Sequence, residues 1–429
     1  MEVTVENTKQ LKGVVSAPPS KAYTHRMLIA AALSDGTSKI FNPLTSDDTT
    51  ATLNAVQAFG AKVNLEPNVW TVNGVDNLKT PDHPIDCRES GSTLRFLIPV
   101  AALAPGSTKF LFSASFKKRP IEPLLDSLKD LSVKTSVTEK TGSSVEVTGG
   151  GILGGHTSIQ GDISSQFISG LLFACPKAKT ETNITVTTEL ESKNYVDMTM
   201  DVISKHGIDG SAIPDLSKIW VCRNQHYKPC DHIVPGDFSS AAFLFAAAAV
   251  TKSKVTVNNL DYNTIQGDKV ILAILEEMGA SVTLEEDSVT VQGASLEGVD
   301  IDAKDIPDLV PVLAAVACFA DGRSEIFNAK RLRLKESDRL ASISKELKKM
   351  GAAIEEKEDG LIINGPSKLH GASVNPHNDH RIAMSCAVAA LGAEGKTVIQ
   401  DVECINKSYP KFFDDLRVLG ARVSWDQIQ

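Results

Sequence analysis

Several protein classes leave a mark on composition that this chain lacks. Its 429 residues include seven cysteines, an odd number at irregular spacings, so neither a disulfide framework nor a paired metal-ligand spacing can be read. Long hydrophobic runs are missing as well. The longest, Ala241 to Val250 and Leu309 to Ala320, fall far short of the length that spans a bilayer. The opening MEVTVENTKQ has neither the basic start nor the apolar stretch of a secretion signal. There is no excess of basic charge: the net charge is −9, which argues against nucleic acid as the main partner. These absences point to a reduced, cytoplasmic protein, and they leave small anions open as ligands.

What the chain does have is repetition. Six segments share the pattern long helix, tight turn, strand: LNAVQAFGAKV, LDSLKDLSVKT, MDVISKHGIDG, LAILEEMGASV, ISKELKKMGAA and FDDLRVLGARV. Their turn positions are Gly60, Ser132, Gly207, Gly279, Gly351 and Gly420, at intervals of 72, 75, 72, 72 and 69 residues. A second series runs between them, in which a polar cluster opens a short, Ala-rich apolar helix near Lys21, Gly91, Ser164, Ser239, Asp308 and Asp379. A fixed period of this kind outranks any single motif in assigning a fold. The length is too great for one core and divides into two globes of three units. With 42% hydrophobic and 23% charged residues, both globes can bury a core.

Cations stand where helices open, although Asp or Glu is the ordinary choice there. Lys21 and Arg26 open the first short helix, and Arg95 lies in the first turns of the second. Arg119 precedes Pro120, a good first helical residue for the second long helix, and Lys335 and Arg339 bracket another helix start. Arg381 and Lys407 repeat the arrangement. A single such cation needs only a nearby carboxylate to explain it. Eight at matching repeat positions, beside unpaired helix N–H groups, indicate bound anions such as phosphate and carboxylate.

Hydroxyls and carboxylates occupy the same places. GDISSQF puts Ser164, Ser165 and Gln166 at a helix opening, a donor-rich cluster suited to phosphate, and ESKNY adds Ser192 and Tyr195. GDFSSA repeats the pattern but reads as a plain helix cap. Asp308 is expected to be the N-cap of an apolar helix, with Glu336 in the first turn of another; either role is bland alone. Beside Lys21, Lys335 and Lys407 they supply acid–base pairs, and His380 is a further candidate.

The motifs PPSKAYTHR, ESGSTLRF, KKRPIEPL, SSQF, SKNYVD, IPD, KESDR, NDHR and NKSYP follow in one order from Lys21 to Phe413. In that order and spacing the chain resembles the 5-enolpyruvylshikimate-3-phosphate synthase family. The resemblance implies an inside-out α/β prism, two globes of three βαβαββ repeats. It also implies a reaction without metal or cofactor, in which the enolpyruvyl group of phosphoenolpyruvate moves to the 5-hydroxyl of shikimate 3-phosphate and phosphate leaves. Carried over by position, it implies that Ser164, Ser165, Ser192 and Lys335 hold the shikimate phosphate and Arg26 the carboxylate. Gln166 and Tyr195 would line the ring. Lys21, Gly91, Arg119, Gln166, Arg339, Arg381 and Lys407 match the phosphoenolpyruvate site. Asp308 would take the proton of the attacking hydroxyl, while Glu336 with Lys21 or Lys407 would protonate and deprotonate the methylene carbon.

Three positions depart from the familiar bacterial pattern: Ala22 replaces a serine at the shikimate site, Glu89 an asparagine beside Gly91, and Arg331 an asparagine that contacts substrate in some relatives. The expected domains are 18–232, and 1–17 with 233–429, with substrates drawing the globes together over an active-site cleft. The segment from Val3 to Val15 is expected to add one strand to the C-terminal globe. Two rival readings stand beside this one. The related transferase acting on UDP-N-acetylglucosamine typically carries a cysteine before the Arg119 position, where this chain reads FSASFKKRP. A non-catalytic scaffold would be expected to have lost Asp308, Glu336 or Lys21, and all three are present. The resemblance further implies inhibition by glyphosate, for which Gly91 leaves room, and a monomer.

Overall fold

The protein was analysed as a computed structural model, which describes residues 1–113, 116, 119–138 and 143–426. Its chain divides into two compact units, Pro19–Val234 and Met1–Pro18 with Pro235–Gln429. The breaks fall between Pro18 and Pro19 and between Val234 and Pro235.

Twelve α-helices among the described residues alternate in type. They are α1 (Lys21–Ala32), α2 (Asp47–Ala58), α3 (Gly91–Ala101), α4 (Glu122–Asp130), α5 (Ser165–Ala174), α6 (Lys193–Lys205), α7 (Phe238–Val250), α8 (Ile271–Glu277), α9 (Val310–Ala317), α10 (Arg339–Lys349), α11 (His380–Gly392) and α12 (Phe412–Val418). The odd-numbered helices are the Ala-rich series and lie inside. In α7 every residue except Ser239 is buried, and in α9 every residue is. A helix that is apolar on all sides has nowhere else to go. The even-numbered helices end at the repeated turns, and all six turn residues take positive φ, from 67° at Ser132 to 111° at Gly60. That left-handed step satisfies the last helix carbonyls and reverses the chain into a strand.

Among the described residues each unit holds three four-stranded sheets built on one plan. A short strand lies parallel to the next, which pairs antiparallel with a third, which pairs antiparallel with a fourth. Ile85–Asp86, Ser107–Leu111, Ser144–Thr148 and Lys134–Thr138 form one such sheet. Asp300–Asp302, Gly322–Phe327, Leu361–Gly365 and Ile354–Glu356 form its counterpart in the other unit.

The N-terminal segment differs from expectation: it makes two strands in two sheets. Glu2–Glu6 runs antiparallel between Lys396–Ile399 and Val423–Asp426, filling the inner place of the last sheet. Lys12–Ser16 pairs parallel with Lys254–Asn258 as the parallel edge strand of the fourth repeat. In the same way His232–Ile233 supplies the short strand of the first repeat, beside Thr37–Phe41. The sheet plan needs a short strand before each inner helix, and the chain enters each unit too late to supply its own.

The inner helices approach closely. A Cβ at Gly170 of α5 would lie 2.4 Å from the Arg95 carbonyl of α3, so only glycine admits that crossing. This contact sets the spacing of the two helix openings that carry Gly91 and Ser165.

Candidate active site

The expected site residues fall into two sets, one in each unit. In the unit Pro19–Val234, Lys21 is the first residue of α1, behind the cap Ser20. Its ammonium binds Asp48 Oδ2 of α2 at 2.9 Å. Gly91 opens α3 behind Ser90, and a Cβ there would lie 2.6 Å from Nη2 of Arg119. Arg119 itself lies over the Phe116 ring, with Cζ 4.4 Å from the centroid. Gln166, in the first turn of α5, is held at both ends of its amide. Oε1 accepts from Arg95 Nη1 at 2.9 Å, and Nε2 donates to Ser92 Oγ at 3.0 Å. Ser164 caps α5, and both Ser164 and Ser165 are buried at its opening.

Ser192 stands at the N-cap position of α6 with φ 55°, a left-handed conformation, and is buried. Tyr195 lies three residues on. Arg26 is buried and donates to Thr199 Oγ1 at 2.8 Å, to the carbonyls of Ala22 and Tyr195 at 2.9 Å each, and to Ser169 Oγ at 3.5 Å. Those bonds use four of its five N–H groups, so Arg26 braces α1 against α5 and α6 with one donor remaining among the described residues. Burial lowers its pKa to about 10.

In the other unit Arg339, the first residue of α10, is the hub. Its guanidinium binds Asp379 through Nε at 2.8 Å, Asp308 through Nη1 at 2.7 Å and Glu336 through Nη2 at 2.7 Å. Arg381 reaches Asp308 Oδ2 at 2.9 Å, and its backbone N–H is capped by Asp379 Oδ1 at 3.0 Å. Lys407 donates to the Asn378 carbonyl at 2.6 Å. Burial pushes the Asp308 pKa up, but Arg381, Arg339 and Lys335 outweigh it and hold the carboxyl well below the usual range. Lys335 is pushed down to about 7 by burial and by Arg331, with Asp308 opposing. His380 is buried at the start of α11, its Nδ1 3.9 Å from Asp379 Oδ1.

Two helix starts differ from the sequence reading. The N-cap of α9 is Leu309, so Asp308 lies one residue outside, and its carboxylate serves two arginines rather than the helix. Helix α4 begins at Glu122, with Pro123 in its first turn, and Pro120 and Arg119 precede it. A proline fits either place. In the loop before Arg119, Ala114, Ser115, Lys117 and Lys118 lie outside the described residues. GDFSSA does cap: Asp237 accepts from Ser240 N at 2.7 Å.

Sequence reasoning missed Asp48, Asp379 and Asp268. Asp268 is buried, accepts from Ser239 Oγ, and is pushed up to about 7 by burial and by Asp308. Asp48 and Asp379 had a weak signal as acidic residues at helix starts, where capping is sufficient explanation. No group of three or more His, Cys, Asp or Glu residues suited to a metal occurs among the described residues.

Two units of three α/β repeats, with cations and hydroxyls at the openings of buried helices, are the architecture of an enolpyruvyl transferase. The solved enolpyruvyl transferase of Streptomyces tendae has a TM-score of 0.79, covering 99% of this chain and 98% of that one; at 19% identity this is a likeness of fold alone. An EPSP synthase structure from Acinetobacter baumannii reaches 0.84 at 28% identity, covering 99% and 100%. The 3-phosphoshikimate 1-carboxyvinyltransferase of Methanocaldococcus jannaschii is 46% identical over 98% of each chain. Residues 5–416 match the family described as EPSP synthase (3-phosphoshikimate 1-carboxyvinyltransferase). The chain belongs to that family.

Proposed function

We propose that the two residue sets described above carry out the family's reaction. The chain is an enzyme of aromatic amino-acid biosynthesis, transferring the enolpyruvyl group of phosphoenolpyruvate to the 5-hydroxyl of shikimate 3-phosphate with release of phosphate. In our reading Ser164, Ser165, Ser192 and Lys335 bind the shikimate phosphate. Gln166 and Tyr195 line the ring, and the last donor of Arg26 holds the carboxylate, beside Ala22. Lys21, Gly91, Arg119, Arg339, Arg381 and Lys407 receive phosphoenolpyruvate.

The observation that carries this reading is the pairing of Asp308 with two arginines, at 2.7 and 2.9 Å. Its two arginine partners, Arg339 and Arg381, are the cations assigned to phosphoenolpyruvate. A carboxylate so tightly paired is a poor base. When the substrate's phosphate and carboxylate draw those guanidinium groups to themselves, the pKa of Asp308 rises toward the range of a proton acceptor. It then takes the proton of the 5-hydroxyl as that oxygen attacks C2 of phosphoenolpyruvate. Glu336, with Lys21 or Lys407 beside the substrate, delivers a proton to the methylene carbon and removes it as phosphate departs; His380, beside Asp379, is a further candidate for this work. Base activation is thereby tied to binding of the second substrate.

Substitution Asp308→Asn keeps the shape and removes the base. It is expected to lower kcat by roughly two to four orders of magnitude while the folded far-ultraviolet spectrum persists. A kcat within a few-fold of the unaltered enzyme would remove Asp308 from the mechanism. We further propose that glyphosate inhibits by occupying the phosphoenolpyruvate site, and that the enzyme works as a cytoplasmic monomer. All seven cysteines are free, and no helix among the described residues is long and apolar enough to cross a membrane.

A further inference from the structure

Seven residues after Arg339, and therefore two turns along the same face of α10, stands Glu346. It has no solvent-exposed surface. Its carboxylate accepts from three donors: His377 Nε2 at 2.8 Å on Oε1, and the Asn375 backbone N–H at 3.0 Å and Lys349 Nζ at 2.6 Å on Oε2. Burial pushes its pKa up, and these bonds outweigh burial, so the group is held as a carboxylate. A carboxylate only accepts, so His377 carries hydrogen on Nε2.

His377 and Asn378 are consecutive non-glycine residues with φ of 53° and 58°. Left-handed residues of this kind persist only where the surroundings over-determine them. Their effect is local and specific. The Asn378 carbonyl faces Lys407 Nζ at 2.6 Å, and the next residue, Asp379, accepts from Arg339 Nε at 2.8 Å and from Ser337 Oγ at 3.1 Å. One helix thus grips the segment Asn375–Asp379 at both ends, by Arg339 on Asp379 and by Glu346 on Asn375 and His377.

We infer that Glu346, acting through His377, is a positioning residue that fixes the strained turn presenting the Asn378 carbonyl to Lys407 and the Asp379 carboxylate to Arg339. The inference rests on the assignment of Lys407 and Arg339 to phosphoenolpyruvate. A buried carboxylate costs free energy that an apolar side chain would not. Glu346 meets that cost with three donors, two of which belong to the strained segment.

The test uses the full-length enzyme with Glu346→Gln and His377→Gln, and Lys345→Met, an exposed residue of the same helix, as control. Each of the first two is expected to raise KM for phosphoenolpyruvate about tenfold, equivalent to ~1.4 kcal/mol. KM for shikimate 3-phosphate should stay unchanged, and Lys345→Met should leave both constants alone. Loss of packing only would lower the active fraction and leave both KM values at those of the unaltered enzyme, overturning the proposal. A readout independent of turnover is amide hydrogen exchange, expected to accelerate over 375–381 in both variants and not elsewhere on α11. Should Glu346→Gln fail to fold, His377→Gln decides the matter. If the unaltered enzyme proves inactive with these substrates, the functional reading fails by itself, and unchanged exchange over 375–381 would then separately refute the clasp.

Discussion

Gly91 stands so close to Arg119 that a Cβ would lie 2.6 Å from Nη2 and 3.1 Å from Cζ. The obstructing atoms are the far end of a flexible side chain, so Gly91→Ala should fold normally and displace the guanidinium. With Arg119 assigned to phosphoenolpyruvate, we predict that Gly91→Ala raises the glyphosate inhibition constant more than tenfold, about 1.4 kcal/mol or more, and raises KM for phosphoenolpyruvate less. Inhibition kinetics on the two proteins check this, and equal inhibition would contradict it. Legibility at this scale follows distance along the chain. Lys21, Arg339 and Arg381 were readable because a cation at a helix opening is out of place in its own segment. Asp48 and Asp379 were not, because each sits where capping explains it and its cationic partner lies 27 or 40 residues away. Arg26 shows the opposite limit: its position marks an anion site, while most of its donors serve Ala22, Ser169, Tyr195 and Thr199 inside the unit.

The six repeated turns were the most legible elements, since the period, the glycine and the strand that follows all agree. Ser132 is the exception that gives a measurable consequence. It adopts φ 67°, where the five counterparts are glycines. A non-glycine residue there is strained, although glycine costs more chain entropy on folding. The strain outweighs the entropy, and Ser132→Gly is predicted to stabilise the protein by about 0.5–1 kcal/mol. Denaturant titration at constant slope measures it, and a destabilised variant would contradict it. Other elements were hidden. Strands of five residues at Glu2–Glu6 and Lys12–Ser16 look alike in sequence, and their different sheets are set by partners about 240 to 420 residues away. Local pattern also misplaced the start of α4 at Pro120, because Pro120 and Pro123 both suit a first turn and the helix uses the second.

Over the molecule as a whole, each unit encloses its own apolar core, and within one core lies a buried pair of histidines that nothing in the sequence announced. His206 Nε2 and His232 Nε2 are 2.8 Å apart, and His206 Nδ1 faces the Lys228 carbonyl at 2.7 Å. That carbonyl only accepts, so His206 carries its hydrogen on Nδ1 and His232 donates through Nε2. Burial lowers both to about 4, with the Lys228 carbonyl opposing at His206 and His206 adding to the effect at His232. The unfolded chain binds protons near pH 6.5 and the folded one does not. The stabilising contribution is therefore complete above about pH 6.5 and is lost as pH falls from there through about 4. Denaturant midpoints are predicted to fall steadily across that window, and less steeply in His232→Gln; an identical profile in the two would contradict the assignment.

The most direct test of the whole account is phosphate release from the purified protein supplied with phosphoenolpyruvate and shikimate 3-phosphate in the presence of chelator, each substrate omitted in turn and the product weighed by mass spectrometry. The account predicts release that needs both substrates, ignores the chelator and yields the enolpyruvyl ether of shikimate 3-phosphate. Release from phosphoenolpyruvate alone, or none with both present, would contradict it.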